Sequence, residues 1–335
     1  MVMTVLGEME KSKLGITSPH EHIFIDMKKC VVPPTDSLEL FHDTVRVDTR
    51  ADVALNPYAI WDNAVLDEMD KALEEVKQFK KWGGQTLVDC TLDEIGRDPL
   101  AMREISQKTG VNIILGCGHY YKMAHPEWLA ESSVEDLANE MIRDITVGIG
   151  QTDVKAGIIG EIGTSAVMFE DEKKVLRAAG IASAATDKAI HVHTDLYTEN
   201  GHEIIKILQQ EGAKANRICI DHVDVWLRPD YIKALLDQGV YIEFDNFGKE
   251  FYVSEARRFA YDLERIRVLK ELIEAGYQDQ ILISNDICLK SMWRTYGGLG
   301  YTHILCGVKY MAEENGIDED TYLSLLTKNV VNFIA

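Results

Sequence analysis

A chain of 335 residues that is 46% hydrophobic can bury a large core, enough for one barrel-sized domain or two ordinary ones. Its formal net charge of -20 is spread along the chain and argues against nucleic acid or an anionic membrane as a partner, because phosphates would be repelled. The first fifteen residues hold no basic segment followed by an apolar run and a small-residue cleavage site, and no later apolar run reaches membrane-spanning length. The expectation is therefore a cytoplasmic protein acting on a small molecule. Along the chain, short runs rich in branched apolar residues alternate with longer amphipathic stretches, the pattern of parallel strands joined by crossover helices.

The first strand-like run covers residues 16–25. Val65, Met69, Ala72, Val76 and Phe79 then recur at three- and four-residue steps, with Glu68, Lys71, Glu75 and Lys80 between them, so a helix with one apolar face is predicted up to the stop at Gly83 and Gly84. Further strands are predicted at 86–90, 111–116, 156–162, 189–194, 218–221, 240–244 and 281–284. Helices are predicted at 134–147, 170–187, 201–210, 229–238, 263–275 and 320–332. No Pro/Gly/Ser linker or change of composition divides the series. Eight parallel strands in one uninterrupted pattern predict a single (β/α)8 TIM barrel over residues 1–335, with a doubly wound open sheet as the alternative. Cys30, Cys90, Cys117, Cys219, Cys288 and Cys306 are scattered without a Cys-x-x-Cys pair and read as reduced, structural thiols.

In such a barrel the chemistry sits where strands end, so polar residues at strand C-termini are the ones to inspect. The first strand carries His20-Glu21-His22. Alternate side chains share one face, so both imidazoles project together and Glu21 points away. The fourth strand places Glu161 in an apolar, glycine-rich run, where a lone carboxylate is costly unless a cation neutralises it. The fifth carries His191 and His193, the sixth ends in Asp221-His222, and the eighth ends in Ser284-Asn285-Asp286. Taken singly, each is more often a hydrogen-bonded structural residue or a helix cap. Together His20, His22, Glu161, His193, His222 and Asp286 form one constellation of metal-ligand types at the same end of five strands. His191, two residues upstream of His193, reads as a hydrogen-bonded residue one layer deeper, and His42, His202 and His303 as structural.

The segments Thr4-Val5-Leu6-Gly7, Ser18-Pro19-His20-Glu21-His22, Ala156 to Ser165, His193-Thr194, Asp221-His222 and Ile283-Ser284-Asn285-Asp286 resemble successive motifs of the phosphotriesterase-like branch of the amidohydrolase superfamily, and they span nearly the whole chain. The resemblance implies a (β/α)8 barrel with a binuclear metal centre. It implies that His20, His22 and Asp286 hold the more buried ion, His193 and His222 the more exposed one, and that a fourth-strand side chain bridges both. It also implies two divalent ions, Zn2+ first with Mn2+ or Co2+ as alternatives, and a homodimer. The phosphotriesterases that name the family bridge with a carboxylated lysine, whereas this stretch offers Gly160 and Glu161. That resembles the phosphotriesterase homology subgroup, in which a glutamate bridges; Lys155 precedes the strand and reads as a solvated or capping charge.

A two-metal site would activate water and polarise a carbonyl or phosphoryl oxygen, with Asp286 as the catalytic residue accepting the proton. The expected reaction is hydrolysis of a carbonyl ester or lactone, including anionic or phosphorylated ones, which makes the chain lactonase-like. N-acyl amide hydrolysis is the runner-up, a weak phosphotriesterase activity the third reading, and a non-catalytic binding barrel the last. Substrate contacts are expected from Tyr120 in the loop after the third strand, Lys249 after the seventh, and Arg294 and Tyr296 after the eighth. Lys249 and Arg294 are the candidates for an anionic group. Asp224 and Trp226 are expected to orient His222 or line the pocket.

Overall fold

The computed structural model describes residues 1–33 and 38–335. Eight parallel strands follow one another in sequence order around a barrel: β1 (Thr17–Glu21), β2 (Thr86–Asp89), β3 (Asn112–Cys117), β4 (Ile158–Gly163), β5 (Ile190–His193), β6 (Ile218–Ile220), β7 (Tyr241–Phe244) and β8 (Ile281–Ile283). The helices that return the chain are α1 (Met69–Lys81), α2 (Pro99–Thr109), α3 (Val134–Thr146), α4 (Glu170–Thr186), α5 (Gly201–Gln210), α6 (Pro229–Leu236) and α7 (Asp262–Glu274). Three more, α8 (Gly307–Glu314), α9 (Glu319–Leu326) and α10 (Lys328–Ile334), close the chain. The (β/α)8 expectation holds, and the open-sheet alternative does not.

Strand alternation sorts the core into two shells. Leu87, Ile113, Leu115, Ile159, Ile190, Val192, Ile220, Ile242, Phe244 and Ile283 point outward and pack under the helices. Val88, Ile114, Ile158, Ala189, Cys219, Tyr241 and Leu282 point inward and fill the lower barrel with Phe333 and Val330 from α10. Three inward series turn polar as they climb: Ala189 is followed by His191 and His193, Tyr241 by Glu243 and Asp245, Leu282 by Ser284 and Asp286. A period of two therefore carries β5, β7 and β8 from an apolar floor to a polar rim.

Four differences from the sequence reading have identifiable causes. The first run does not stay one strand: after Glu21 the Ile23 N–H turns to Asp89 Oδ2 at 2.8 Å, and Ile25–Asp26 pairs antiparallel with Val65–Leu66 instead. That hairpin removes Val65 from the predicted helix. Helix α2 was not singled out, although Asp98 caps it by accepting from the N–H groups of Leu100 and Ala101 at 3.1 and 3.0 Å, Pro99 opens it and Gly110 ends it. Helix α8 was missed as well. The predicted helix at 320–332 is two, broken at Thr327, so that α10 can turn under the barrel, where Asn329 donates to the carbonyls of Gln278 and Ile281.

Glu21 faces away from the histidines, as expected, and takes up the seam between β8 and β1. Its carboxylate accepts from the backbone N–H groups of Asn285 and Ile287 at 3.1 and 2.8 Å, from the Asn285 amide at 2.9 Å and from Ser18 Oγ at 2.7 Å. Glu21→Ala leaves these buried donors unpaired where no ladder replaces them. The expected cost is about 3 kcal/mol, since each orphaned buried group costs about 1–3 kcal/mol. Urea unfolding of the metal-free protein checks this, and a loss below about 1 kcal/mol would contradict the seam role.

Candidate metal centre

The inner rim of the barrel gathers the ligand-type side chains of five strands. His20, His22 and Glu161 form one group whose donor atoms all lie within 4.8 Å of one another, and Glu161, His193 and His222 form a second. Glu161 belongs to both. Its Oε1 lies 2.7 Å from His193 Nδ1 and 3.0 Å from His222 Nε2, and its Oε2 lies 3.6 Å from His22 Nε2. Asp286 joins the first group through Oδ1, 3.2 Å from His22 Nε2 and 4.0 Å from His20 Nε2. The structure thus brings all six side chains together.

Local backbone explains how they arrive. The β4 register shifts between Ile159 and Ile162, and Glu161 N–H reaches across to Cys90 O at 3.2 Å, which turns the carboxylate into the barrel. Gly160 permits this, because with φ +113° a Cβ there would stand 2.3 Å from His191 O. His222 and Asp286 both occupy left-handed backbone, at φ 62° and 45°, a conformation non-glycine residues hold only when their surroundings impose it.

Tautomers follow from the outer contacts. Thr91 Oγ1 donates to Phe24 O at 3.0 Å, so it accepts from His22 Nδ1 at 2.8 Å, and His22 Nε2 keeps its lone pair toward the centre. Asp245 does the same for His222, accepting from its Nδ1 at 2.9 Å and from its backbone N–H at 3.0 Å. Asp245 and Thr91 are not among the site residues expected from the sequence. Asp245 was recoverable, because it continues the inward series Tyr241, Glu243, Asp245 at the tip of β7.

His20 tests whether cations fit. It is fully buried, and neither ring nitrogen has a hydrogen-bond partner among the described residues. A buried imidazole left so costs free energy unless a lone pair binds a metal. The electrostatics agree: burial alone would depress His20 and His222, yet Glu161 with Asp221 and Asp286 raise the first, and Asp245 with Glu161 raise the second, well above the ordinary imidazole value. Burial would raise Glu161, but His193 and His20 hold it well below the carboxylate range. The cluster attracts positive charge, and four imidazoles with two carboxylates suit borderline divalent ions.

Below it, His191 Nδ1 lies 3.1 Å from Asp221 Oδ1 and 3.3 Å from Glu243 Oε2, with Phe333 edge-on beneath at 5.1 Å between ring centres. This is the deeper layer expected of His191. His303 is held by Asp262 at 2.6 Å and has no place in the centre.

Above the cluster a cavity of about 560 Å³ opens, lined by His22, Glu161, His193, His222 and Asp286 at its base. Its walls come from Ile25, Met27 and Tyr58 of the loop after β1, Leu196 and Tyr197 after β5, and Phe251, Arg257 and Phe259 after β7. Tyr120 lines it too, its hydroxyl 3.2 Å from His193 Nδ1. Lys249 lines it but is buried against Asp286, with its ammonium on Oδ2.

The other expected contacts lie elsewhere. Arg294 is exposed and donates to Thr302 Oγ1 at 3.2 Å, while the Tyr296 hydroxyl is engaged by Glu68 and Lys71 at α1. The loop after β8 folds outward onto α1, with Lys290 pairing Asp62, and so carries both away from the cavity. Among the described residues no hydrogen bond joins Asp224 to His222; Asp224 pairs with Arg265 Nε at 2.9 Å and accepts from Asn246 N–H at 3.0 Å. Trp226 is half-exposed under the Arg228 guanidinium, 3.8 Å from its ring centre. Among the described residues no helix is long and apolar enough to cross a membrane.

A sequence profile described as the Phosphotriesterase family matches residues 1–334. A relative from Homo sapiens, N-acetyltaurine hydrolase, is 34% identical over 334 residues, covering 98% of this chain and 96% of its own. A resiniferatoxin-binding protein from Rhodobacter sphaeroides superposes with a TM-score of 0.97 at 32% identity, covering 99% of this chain and 94% of that one. A lactonase from Listeria monocytogenes superposes at 0.81 with 26% identity, over 100% and 98% of the two chains. With a full-length profile match, a matching barrel and a cation-seeking rim, the chain belongs to the phosphotriesterase family and is a metal-dependent hydrolase.

Proposed function

We propose that the chain is a two-metal hydrolase that cleaves an N-acyl amide bond, with lactones as the second substrate class. The observation that carries the two-metal reading is Glu161, whose single carboxylate serves both donor groups. His20, His22 and Asp286 would hold one divalent ion and His193 and His222 the other, with Zn2+ the first choice and Mn2+ or Co2+ the alternatives. When bound, such a pair supplies Lewis acidity and lowers the pKa of water to near neutrality.

The chain supplies the rest. Tyr120 places a phenol O–H beside His193, where it can donate to a substrate carbonyl oxygen as negative charge develops. Asp286 is the proton acceptor. Burial opposes its ionisation, but Lys249, then His22 and His20, hold it well below the carboxylate range, so it stays ionised and its Oδ1 remains on the His22 side. Lys249 is therefore a positioning residue rather than a free anion receptor. The apolar walls keep bulk water from the reacting groups.

N-acyl amides move ahead of lactones because the N-acetyltaurine hydrolase relative covers almost the whole chain at higher identity than the lactonase. The lactone reading draws on that lactonase and on the apolar walls. Phosphotriesters come last, since the bridge is a glutamate and not a carboxylated lysine. The test is hydrolysis of N-acetyltaurine, a γ-lactone and a chromogenic phosphotriester by protein reconstituted with Zn2+ or Mn2+. The expected order of kcat/KM is amide, lactone, phosphotriester; no turnover of the amide above the metal-free protein would overturn the amide reading.

A further inference from the structure

Above the metal-binding base the cavity walls are largely apolar, with Asp195, Thr198, Asn246 and three tyrosines among them, and two cationic residues line it. Lys249 is consumed by Asp286. Arg257 differs. It stands on the hairpin formed by Tyr252–Ser254 and Arg257–Arg258, at the outer end of the loop after β7, and is exposed. Among the described residues no carboxylate lies within 4.0 Å of its guanidinium. Its neighbour Arg258 pairs with Glu264 at 2.9 Å. In a chain of net charge -20 an arginine facing a cavity without a carboxylate partner needs an explanation.

Tyr197 is on the loop after β5 and lines the same cavity. Tyr197 also shares a second groove with Ala256 of the hairpin turn, and burial raises its phenol while the Arg257 charge offsets part of that rise. Asp195, which also lines the cavity, accepts from Tyr197 N–H at 3.1 Å within its own loop. Arg257 and Tyr197 thus both line the cavity, whose apolar walls include Met27, Phe251 and Phe259.

We propose that Arg257, with Tyr197 beside it, forms an anion subsite that binds a carboxylate or sulfonate at the end of the substrate remote from the scissile carbonyl. The substrate class is then an N-acyl amino acid or N-acyl aminosulfonate. A planar guanidinium suits either anion, because both present coplanar pairs of acceptor oxygens. The inference rests on the N-acyl amide reading above.

The test compares N-acetyltaurine and N-acetyl-β-alanine, one sulfonate and one carboxylate, with the neutral N-propylacetamide, using metal-loaded wild type, Arg257→Ala and Arg257→Lys. The quantity read is the ratio of kcat/KM for each anion over the neutral amide. Wild type is expected to favour the anions, and Arg257→Ala to lower that ratio about 10- to 100-fold, mainly through KM. Arg257→Lys recovers part of it, and 0.5 M NaCl narrows the preference of wild type more than that of Arg257→Ala. A fall for only one anion identifies which head group the subsite takes. A ratio within twofold of wild type in Arg257→Ala for both anions overturns the subsite while leaving amide hydrolysis standing. Failure of wild type to cleave any of the three amides overturns the amide reading and the subsite with it.

Discussion

Glu161→Ala is expected to abolish turnover and to reduce bound metal from two equivalents per chain to one or none. The side chain is 2% exposed and its carboxylate is the one group common to both donor sets. Removing it takes a ligand from each, and it leaves His193 Nδ1 and His222 Nε2 facing each other at 2.9 Å without the charge between them. The expected fall in kcat/KM is at least about 10³-fold, the scale of losing a preorganised electrostatic element together with the nucleophile's activation. Glu161→Asp keeps the charge but shortens the reach, so it should retain one tightly held ion and lose the second on dialysis. Metal analysis after gel filtration checks both. Near-wild-type activity in Glu161→Ala would remove the basis for a bridged site.

Asp286→Asn is the second large effect. Asparagine has the shape of aspartate but cannot take a proton, so kcat should fall by about 10²- to 10⁴-fold with KM little changed. The substitution has another consequence. Lys249 is 3% exposed and loses its counter-charge, and breaking a buried pair from one side costs about 3–5 kcal/mol. The metal-free variant should therefore unfold at markedly lower urea. Adding Lys249→Met removes the orphaned ammonium and should restore most of that stability without restoring activity. Recovery of activity in the double variant would mean that Asp286 serves chiefly to neutralise Lys249.

Much of the fold was legible because parallel strands buried on both faces are read twice: as branched apolar runs and as ends marked by polar residues. The six residues at the rim were legible for the same reason. Glu161, His193, His222 and Asp286 sit where a run of Ile, Val or Leu gives way to His, Glu or Asp, His20 and His22 follow Thr17-Ser18-Pro19 in the first strand, and the barrel collects these points on one ring. Asp245 obeys the same logic, since Glu243 and Asp245 extend the β7 alternation just as His191 and His193 extend β5. The loops resisted reading because their side chains have no period. Arg294 and Tyr296 follow β8 as closely as Lys249 follows β7, yet ion pairs between Lys290, Asp62 and Glu68 swing the β8 loop onto α1, whereas Asn246 and Asp224 hold the β7 loop over the cavity. Pairings between residues more than 200 positions apart decide that outcome. Arg257 was invisible for a related reason: it contributes through lack of a carboxylate partner, which only the folded arrangement reveals.

Helix α2 is a different case, because its Asp98-Pro99 start and Gly110 stop are local signals. Its break from expectation reflects weak apolar spacing, with Ala101, Met102, Ile105, Ser106 and Thr109 forming the buried face. Small and hydroxyl side chains there dilute the period that marks α1.

The central claim is that one glutamate holds two metal ions at the base of the cavity. Anomalous diffraction from crystals grown with Zn2+, recorded on both sides of the zinc edge, tests it most directly. The account predicts two peaks flanking the Glu161 carboxylate, one among His20, His22 and Asp286 and the other against His193 and His222. A single peak, or two peaks that do not share Glu161, would contradict it.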